Sequence, residues 1–180
     1  PSGSLSATTA GQVRQMFNDQ VPTLNGGACT AGIESTILAV VGNKIVQLRP
    51  GALPRQVIEQ QLGVKIEQVH SEAKVLAPGM LVSHYAPRAA LRLDAKEPEP
   101  GEAYLGFGEI KALKTSPESL TLNLSESADL EEAAHNLFSF LHRLDQSGTE
   151  RIAVAPIPKT GLGEAINDRL TRAAAPRDQK

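Results

Sequence analysis

A stripe helix, a short buried-type strand and a second helix follow one another between residues 127 and 174, and that succession restricts the fold more than any other feature. Leu130, Ala134, Leu137, Phe138, Leu141 and Leu144 recur at helical spacing, with Ser127 as the expected cap and Gly148 as the stop. Arg151-Ile152-Ala153-Val154-Ala155-Pro156 then reads as a buried-type strand, and Gly163 through Ala174 as a helix. Upstream, Leu91-Arg92-Leu93, Ala103-Tyr104-Leu105-Gly106-Phe107 and Leu120-Thr121-Leu122-Asn123-Leu124 are strand candidates. Strands that alternate with helices imply a small α/β layer structure with a largely parallel sheet. Aromatic residues are only 3% of the chain and Trp is absent, so its core must be aliphatic. The Lys96–Gly101 stretch reads as an exposed turn.

The first part of the chain follows a different rhythm. Ser6-Ala7-Thr8-Thr9 offers hydroxyl caps for a helix carrying Val13, Met16 and Phe17, ended by Pro22 and Gly26-Gly27. Two β-rich runs, Thr36–Val41 and Lys44–Arg49, flank Gly42-Asn43 and predict a hairpin with a glycine-first turn. Pro50-Gly51 stops the second strand, and Pro54 opens an expected helix through Leu62 with Gly63 as its end. Val64, Ile66 and Val69 suggest one more strand, yet partners for these strands are not apparent within the segment. From Ser71 to Arg88, Pro78-Gly79 and Pro87 interrupt any regular element, which reads as an interdomain linker. The expected organisation is therefore residues 1–70, a connector at 71–88, and a second domain at 89–180. The chain opens Pro1-Ser2-Gly3-Ser4 rather than on Met, and the expectation is a start inside a larger polypeptide.

Composition narrows the function classes. The 180 residues suffice for one domain or two small ones, and 41% hydrophobic with 21% charged residues is ordinary globular composition. A net charge of −2 argues against a protein built mainly to hold nucleic acid. No apolar run approaches the roughly 18 residues of a membrane helix. The single cysteine, Cys29, cannot form an internal disulfide, and the expected compartment is the cytoplasm. Cys29 has no sequence-adjacent base and reads as a loop or core residue rather than a nucleophile. No metal site is expected. His70, His84, His135 and His142 are not grouped at ligand spacing, and His135 and His142 read as residues of a solvated helix face.

Chemistry is better sought at strand mouths. In Gly32-Ile33-Glu34-Ser35-Thr36-Ile37, a glycine followed by a small hydroxyl lets backbone amides and a side chain approach an anion; the plainer reading is a strand entry with a satisfied serine. Leu48-Arg49-Pro50-Gly51 places a guanidinium where a strand ends, and such a fork suits a carboxylate or phosphate. In the expected hairpin Ile37 lies opposite Gln47 or Leu48, which brings Ser35 and Arg49 to one open end of the ladder as an anion cradle. Lys159-Thr160-Gly161-Leu162-Gly163 joins a strand to a helix and reads as an anion-binding helix start or a tight turn.

Three groups of residues together resemble a known family. Ser2-Gly3 with Ser6-Ala7-Thr8-Thr9, Gly32 to Ile37, and Leu48-Arg49-Pro50-Gly51 resemble the later part of a YrdC-like domain. Pro78-Gly79-Met80 with Ser83-His84-Tyr85-Ala86-Pro87 is similar to the linker of the two-domain threonylcarbamoyl-AMP synthases (YrdC/YciO/YwlC-like). Gly161-Leu162-Gly163-Glu164-Ala165-Ile166-Asn167-Asp168-Arg169-Leu170 is similar to the end of their C-terminal domain. The resemblance implies a partial YrdC-like α/β domain with a twisted sheet, then a small Rossmann-like α/β/α domain. It implies a nucleotidyltransferase that joins L-threonine, bicarbonate and ATP into threonylcarbamoyl-adenylate plus pyrophosphate, for the t6A modification of tRNA. Mg²⁺ would accompany ATP, and the product would pass to t6A-transfer proteins. Carried over by position, Ser6 and Arg49 would contact ATP, Ser35 would hold threonine, and His84 and Tyr85 would belong to a lid; no residue acts as a nucleophile. The family's threonine-rich nucleotide-loop strand, its Lys-x-Arg pair and its Ser-x-Asn do not occur here, which implies that the chain alone is inactive. Two other classes stand beside this one: a tRNA- or RNA-binding module, and a non-catalytic module that docks partner proteins.

Overall fold

Local sequence signals build each element of the computed structural model, which describes residues 3–68, 83–110 and 120–176. Val69, His70, Ser2, and the Pro78-Gly79-Met80 part of the connector lie outside the described residues. Helix α1 (Ala10–Phe17) starts in a capping box: the Thr9 hydroxyl accepts from the Gln12 amide, and the Gln12 side chain accepts from the Thr9 amide. It ends on Asn18, whose left-handed φ of 49° turns the chain before Pro22 is reached.

Strands β1 (Ile37–Val41) and β2 (Lys44–Arg49) form the expected antiparallel hairpin, with Gly42 at a φ of 59° in the turn. A register shift between Ile37 and Leu38 pairs Ile37 with Arg49, while Leu38 pairs with Gln47. Leu48 is the additional residue of that bulge, so Ile37 faces neither Gln47 nor Leu48 as the simple ladder predicted. Helix α2 (Arg55–Leu62) uses Pro54 as its N-cap rather than its first residue, and Gly63 closes it at a φ of 65°. This helix is the crossover to β3 (Ile66–Gln68), which pairs parallel to β2. The hairpin therefore finds a partner inside the first segment after all, supplied by a strand of only three residues.

The second sheet has the order β4-β7-β5-β6 and is parallel throughout, from β4 (Ala90–Arg92), β5 (Ala103–Gly106), β6 (Thr121–Asn123) and β7 (Arg151–Val154). The α/β class with a largely parallel second sheet is as expected. Alternation sends Leu105, Ile152 and Val154 into one cluster with helices α3 (Leu130–Gln146) and α4 (Leu162–Ala174). Tyr104 and Ala153 point to the opposite face, against Ala95, Ala155, Phe107 and Ile110. Each fully buried leucine or isoleucine on the helix side contributes about 2 kcal/mol. Helix α3 is capped by Asp129, which accepts from the amides of Glu131 at 2.7 Å and Glu132 at 2.9 Å. Ser127 sits too far ahead of the first turn for that role and meets the Ser125 hydroxyl instead. Among the described residues no helix is long and apolar enough to cross a membrane.

The two parts share one core. Leu5 and Ile33 of the first segment pack in the same cluster as Tyr85, Leu137, Phe138 and Ile166. His135 donates from Nδ1 to the Thr30 carbonyl at 2.8 Å, and His142 from Nε2 to the Ser6 carbonyl at 3.1 Å. His135 stays exposed, as a solvated face predicts, whereas His142 is half-buried and departs from that expectation. They hold the first segment on α3, and burial pushes the half-buried His142 below the ordinary histidine range.

Candidate functional site

The mouth of the hairpin is closely stitched. The Ala52 amide donates to the Glu34 carbonyl at 2.9 Å, and the Thr36 hydroxyl to the Leu53 carbonyl at 2.6 Å. A Cβ on Gly51 would lie 2.3 Å from the Ser35 carbonyl carbon, so only glycine permits the turn after Arg49 to rest on the Glu34-Ser35 backbone. Gly32 is constrained twice: its φ is +70°, and a Cβ there would lie 2.3 Å from the Ala134 carbonyl of α3.

These contacts deliver Arg49 to Ser35. The guanidinium is buried and donates to the Ser35 carbonyl from Nε at 3.2 Å and from Nη2 at 2.9 Å; Nη2 also lies 3.5 Å from the Ser35 hydroxyl. The pairing Ile37–Arg49 explains the meeting, because it sets Arg49 beside the residues that enter β1. The convergence expected from the sequence is present, with the backbone oxygen of Ser35 as the principal acceptor.

Glu34, one residue earlier, connects this mouth to both ends of the chain. One carboxylate oxygen accepts a hydrogen bond from the Ser6 hydroxyl. The other accepts from Arg169 Nε at 2.8 Å, although Arg169 lies 135 residues away on α4. Burial pushes the Glu34 carboxyl up, but the Ser6 hydrogen bond and the charge and hydrogen bond of Arg169 outweigh it and hold it below the usual carboxylate range. The Arg169 side chain is 0% exposed, and it also donates to Asp168 at 2.6 Å. Asp168 in turn accepts from Arg172 Nε at 2.9 Å.

The described end of the connector seats itself on the same group. Tyr85 is only 2% exposed, with its ring 5.6 Å from that of Phe138 and 5.1 Å from the Arg169 guanidinium carbon. Burial raises its phenol above the ordinary tyrosine value, offset in part by the charges of Arg169 and Arg49. The His84 ring lies against that of Tyr85, tilted by 60° with centroids 4.0 Å apart, and its amide donates to the Arg172 carbonyl at 3.2 Å. Burial lowers its imidazole, reinforced by the charges of Arg172, Arg169 and Arg49 against that of Glu34. On the other side of the connector, the Ala86 amide donates to the Gly3 carbonyl at 2.9 Å.

All five residues singled out in the sequence therefore lie in one polar cluster: Ser6, Ser35, Arg49, His84 and Tyr85. Sequence reasoning missed the residues that join them, namely Glu34, Asp168, Arg169 and Arg172. One signal was available. Ile166, Arg169, Leu170 and Ala173 fall on one helical stripe, and an arginine on a buried stripe requires a carboxylate partner. Nearby, a cleft of ≈ 380 Å³ opens between β2 and α4, lined among others by Gln47, Pro50, Lys159, Asp168 and Arg172. It borders Pro50, although neither Ser35 nor Arg49 lines it.

The Lys159–Gly163 loop takes its plainer reading. Gly163 packs so closely that a Cβ would meet the Pro158 carbonyl at 1.8 Å, and the first turn of α4 holds its own anion, Glu164, which accepts from Arg55 at 2.9 Å and Gln56 at 3.0 Å. Cys29 is exposed. Among the described residues no three His, Cys, Asp or Glu side chains group as a metal site.

Comparison with known proteins accords with this arrangement. A threonylcarbamoyl-AMP synthase of Bacillus subtilis is 30% identical over 191 residues, covering 98% of this chain and 55% of the relative. One of Pyrococcus abyssi is 31% identical over 195 residues, covering 96% and 55% respectively. Among solved structures, Pyrococcus abyssi Sua5 complexed with L-threonine superposes with a TM-score of 0.78 at 28% identity, over 96% of this chain and 55% of the other. A form of that protein with a histidine and the adjacent tyrosine both changed to alanine gives a TM-score of 0.77 at 25% identity, over 97% and 56%. The chain spans about half the length of the curated relatives it matches. Residues 46–175, which carry the parallel sheet, both long helices and the Asp168-Arg169 pair, match the family described as "Threonylcarbamoyl-AMP synthase, C-terminal domain", and the chain belongs to that family.

Proposed function

We propose that this chain is the later half of a threonylcarbamoyl-AMP synthase, which forms threonylcarbamoyl-adenylate and pyrophosphate from L-threonine, bicarbonate and ATP for tRNA t6A synthesis in the cytoplasm. The observation that carries the reading is the hydrogen-bonded cluster itself: Ser6, Ser35 and Arg49 are brought together from three separate stretches of sequence. The names of the curated relatives support the reaction class, and the L-threonine complex of the Pyrococcus abyssi protein supports threonine as substrate. In this reading residues 1–70 complete the catalytic domain, 71–88 form the connector, and 89–180 form the second domain.

The chemistry asks little of protein nucleophiles. The threonine amine adds to bicarbonate with loss of water, and the resulting carbamate oxygen attacks the α-phosphate of ATP and expels pyrophosphate. The protein must align three substrates and neutralise phosphate charge. Arg49, held in place by the Ser35 carbonyl, supplies a fixed cation to the phosphates, and the Ser6 hydroxyl, tied to the neighbouring Glu34, would make a further ATP contact. The Ser35 hydroxyl would orient threonine. Mg²⁺ would enter on the triphosphate as part of the substrate. A carbamate and a mixed anhydride both decay in water, so a connector seated by Tyr85 and His84 suits a site that must exclude it.

In the longer polypeptide that contains this chain, threonine-dependent pyrophosphate release from ATP is the expected activity, and Arg49→Ala should lower it by roughly 100-fold. The 180-residue chain alone should show none. Full activity from the short chain, or an unaffected Arg49→Ala enzyme, would refute the assignment.

A further inference from the structure

Arg169 occupies an unusual position for a residue of the second domain. Its side chain is wholly buried, on a helix whose other buried residues are Gly163, Ala165, Ile166, Leu170 and Ala173, and it reaches out of its own domain to Glu34. Glu34 adjoins Ser35 in sequence and holds the Ser6 hydroxyl through its second oxygen. Arg169 is itself fixed from two other sides, by Asp168 at 2.6 Å and by the Tyr85 ring at 5.1 Å. Displacing the Glu34 side chain would therefore break the Ser6 contact and remove the tie between Arg169 and the segment that carries Ser35.

We propose that Arg169 is a positioning residue of the synthase: through Glu34 it sets Ser6 and Ser35, so the second domain contributes to substrate alignment without touching substrate. The inference rests on the function proposed above. A packing role alone would require only that α4 stay docked, which Leu5, Ile33 and Tyr85 already secure through the shared apolar cluster. An arginine costs more to bury than the aliphatic residue that could fill its place, and the ion pair it makes aims one particular carboxylate. Small misplacements at a site that works by alignment are expensive in rate.

The test uses the longer polypeptide, with pyrophosphate release followed while threonine and ATP are varied separately. Removing one partner strands a buried charge, so the informative enzyme is the double variant Glu34→Gln with Arg169→Met, which removes both. We expect it to keep a melting temperature near that of the parent, with KM for threonine and for ATP each raised roughly tenfold or more. Arg169→Lys, which keeps the charge without the guanidinium fork, should fall between. A folded double variant with the parent's two KM values overturns the proposal. So does a loss confined to melting temperature, with unchanged KM in the enzyme that remains folded. If the unsubstituted polypeptide itself releases no threonine-dependent pyrophosphate, the function reading fails and takes this inference with it.

Discussion

Glu34 shows how single residues at this site are tuned. Its carboxyl is depressed in the folded chain, so the folded state binds its proton less readily than the unfolded state does. The stabilisation from that difference is complete above the unfolded value of about 4.3 and is lost as pH falls through the lower folded value. The urea midpoints of the parent and of Glu34→Gln should therefore differ at pH 7 and converge as the solution is acidified below about pH 4.3; a constant difference across that range would contradict the assignment. Ser35 and Arg49 were legible from the hairpin that brings them to one end of its ladder, whereas Ser6, His84 and Tyr85 were singled out only through the family resemblance. Arg169 was not, although its own motif was. Its partner lies 135 residues away, and no local spacing encodes such a meeting.

At the scale of elements, local chemistry decided most outcomes and failed where the start of an element had to be placed to one residue. The hairpin turn, the Thr9 capping box and the Gly63 stop all arise from groups within four residues of one another, Gly63 donating its amide to the Glu59 carbonyl. The start of α3 was misplaced because Ser127 and Asp129 are both capable caps, and only the course of the chain after β6 selects between them. That selection is measurable. Asp129→Ala should cost about 1 kcal/mol of stability by chemical denaturation, whereas Ser127→Ala should stay within about 0.5 kcal/mol. The register of β1 and β2 was likewise open to a one-residue error, since a bulge at Ile37 leaves the alternation of the remaining pairs intact.

Across the whole molecule the two parts are finished unequally. Every exposed large hydrophobic side chain among the described residues belongs to the first part, with Val40 at 76%, Val41 at 62% and Leu62 at 58% exposure. Val40 and Val41 lie on β1, Val57 and Leu62 on α2, and the others on α1 or in loops; exposed apolar surface of this kind favours association. Light scattering should show the 180-residue chain self-associating with rising concentration, and Val40→Lys with Val41→Glu should reduce that tendency; a monodisperse parent would argue that this surface is inert. The sequence by itself determined the elements, the α/β class, the parallel character of the second sheet and the motifs that hold the candidate site, because periodicity, caps and turn residues act over a few positions. Tertiary structure alone decided that His135 and His142 hold the first segment, that Glu34 joins Ser6 to Arg169, and that Tyr85 seats the connector in the core. Periodicity fixes which face of an element turns inward, but the groups which that face then meets are set by packing between parts of the chain far apart in sequence.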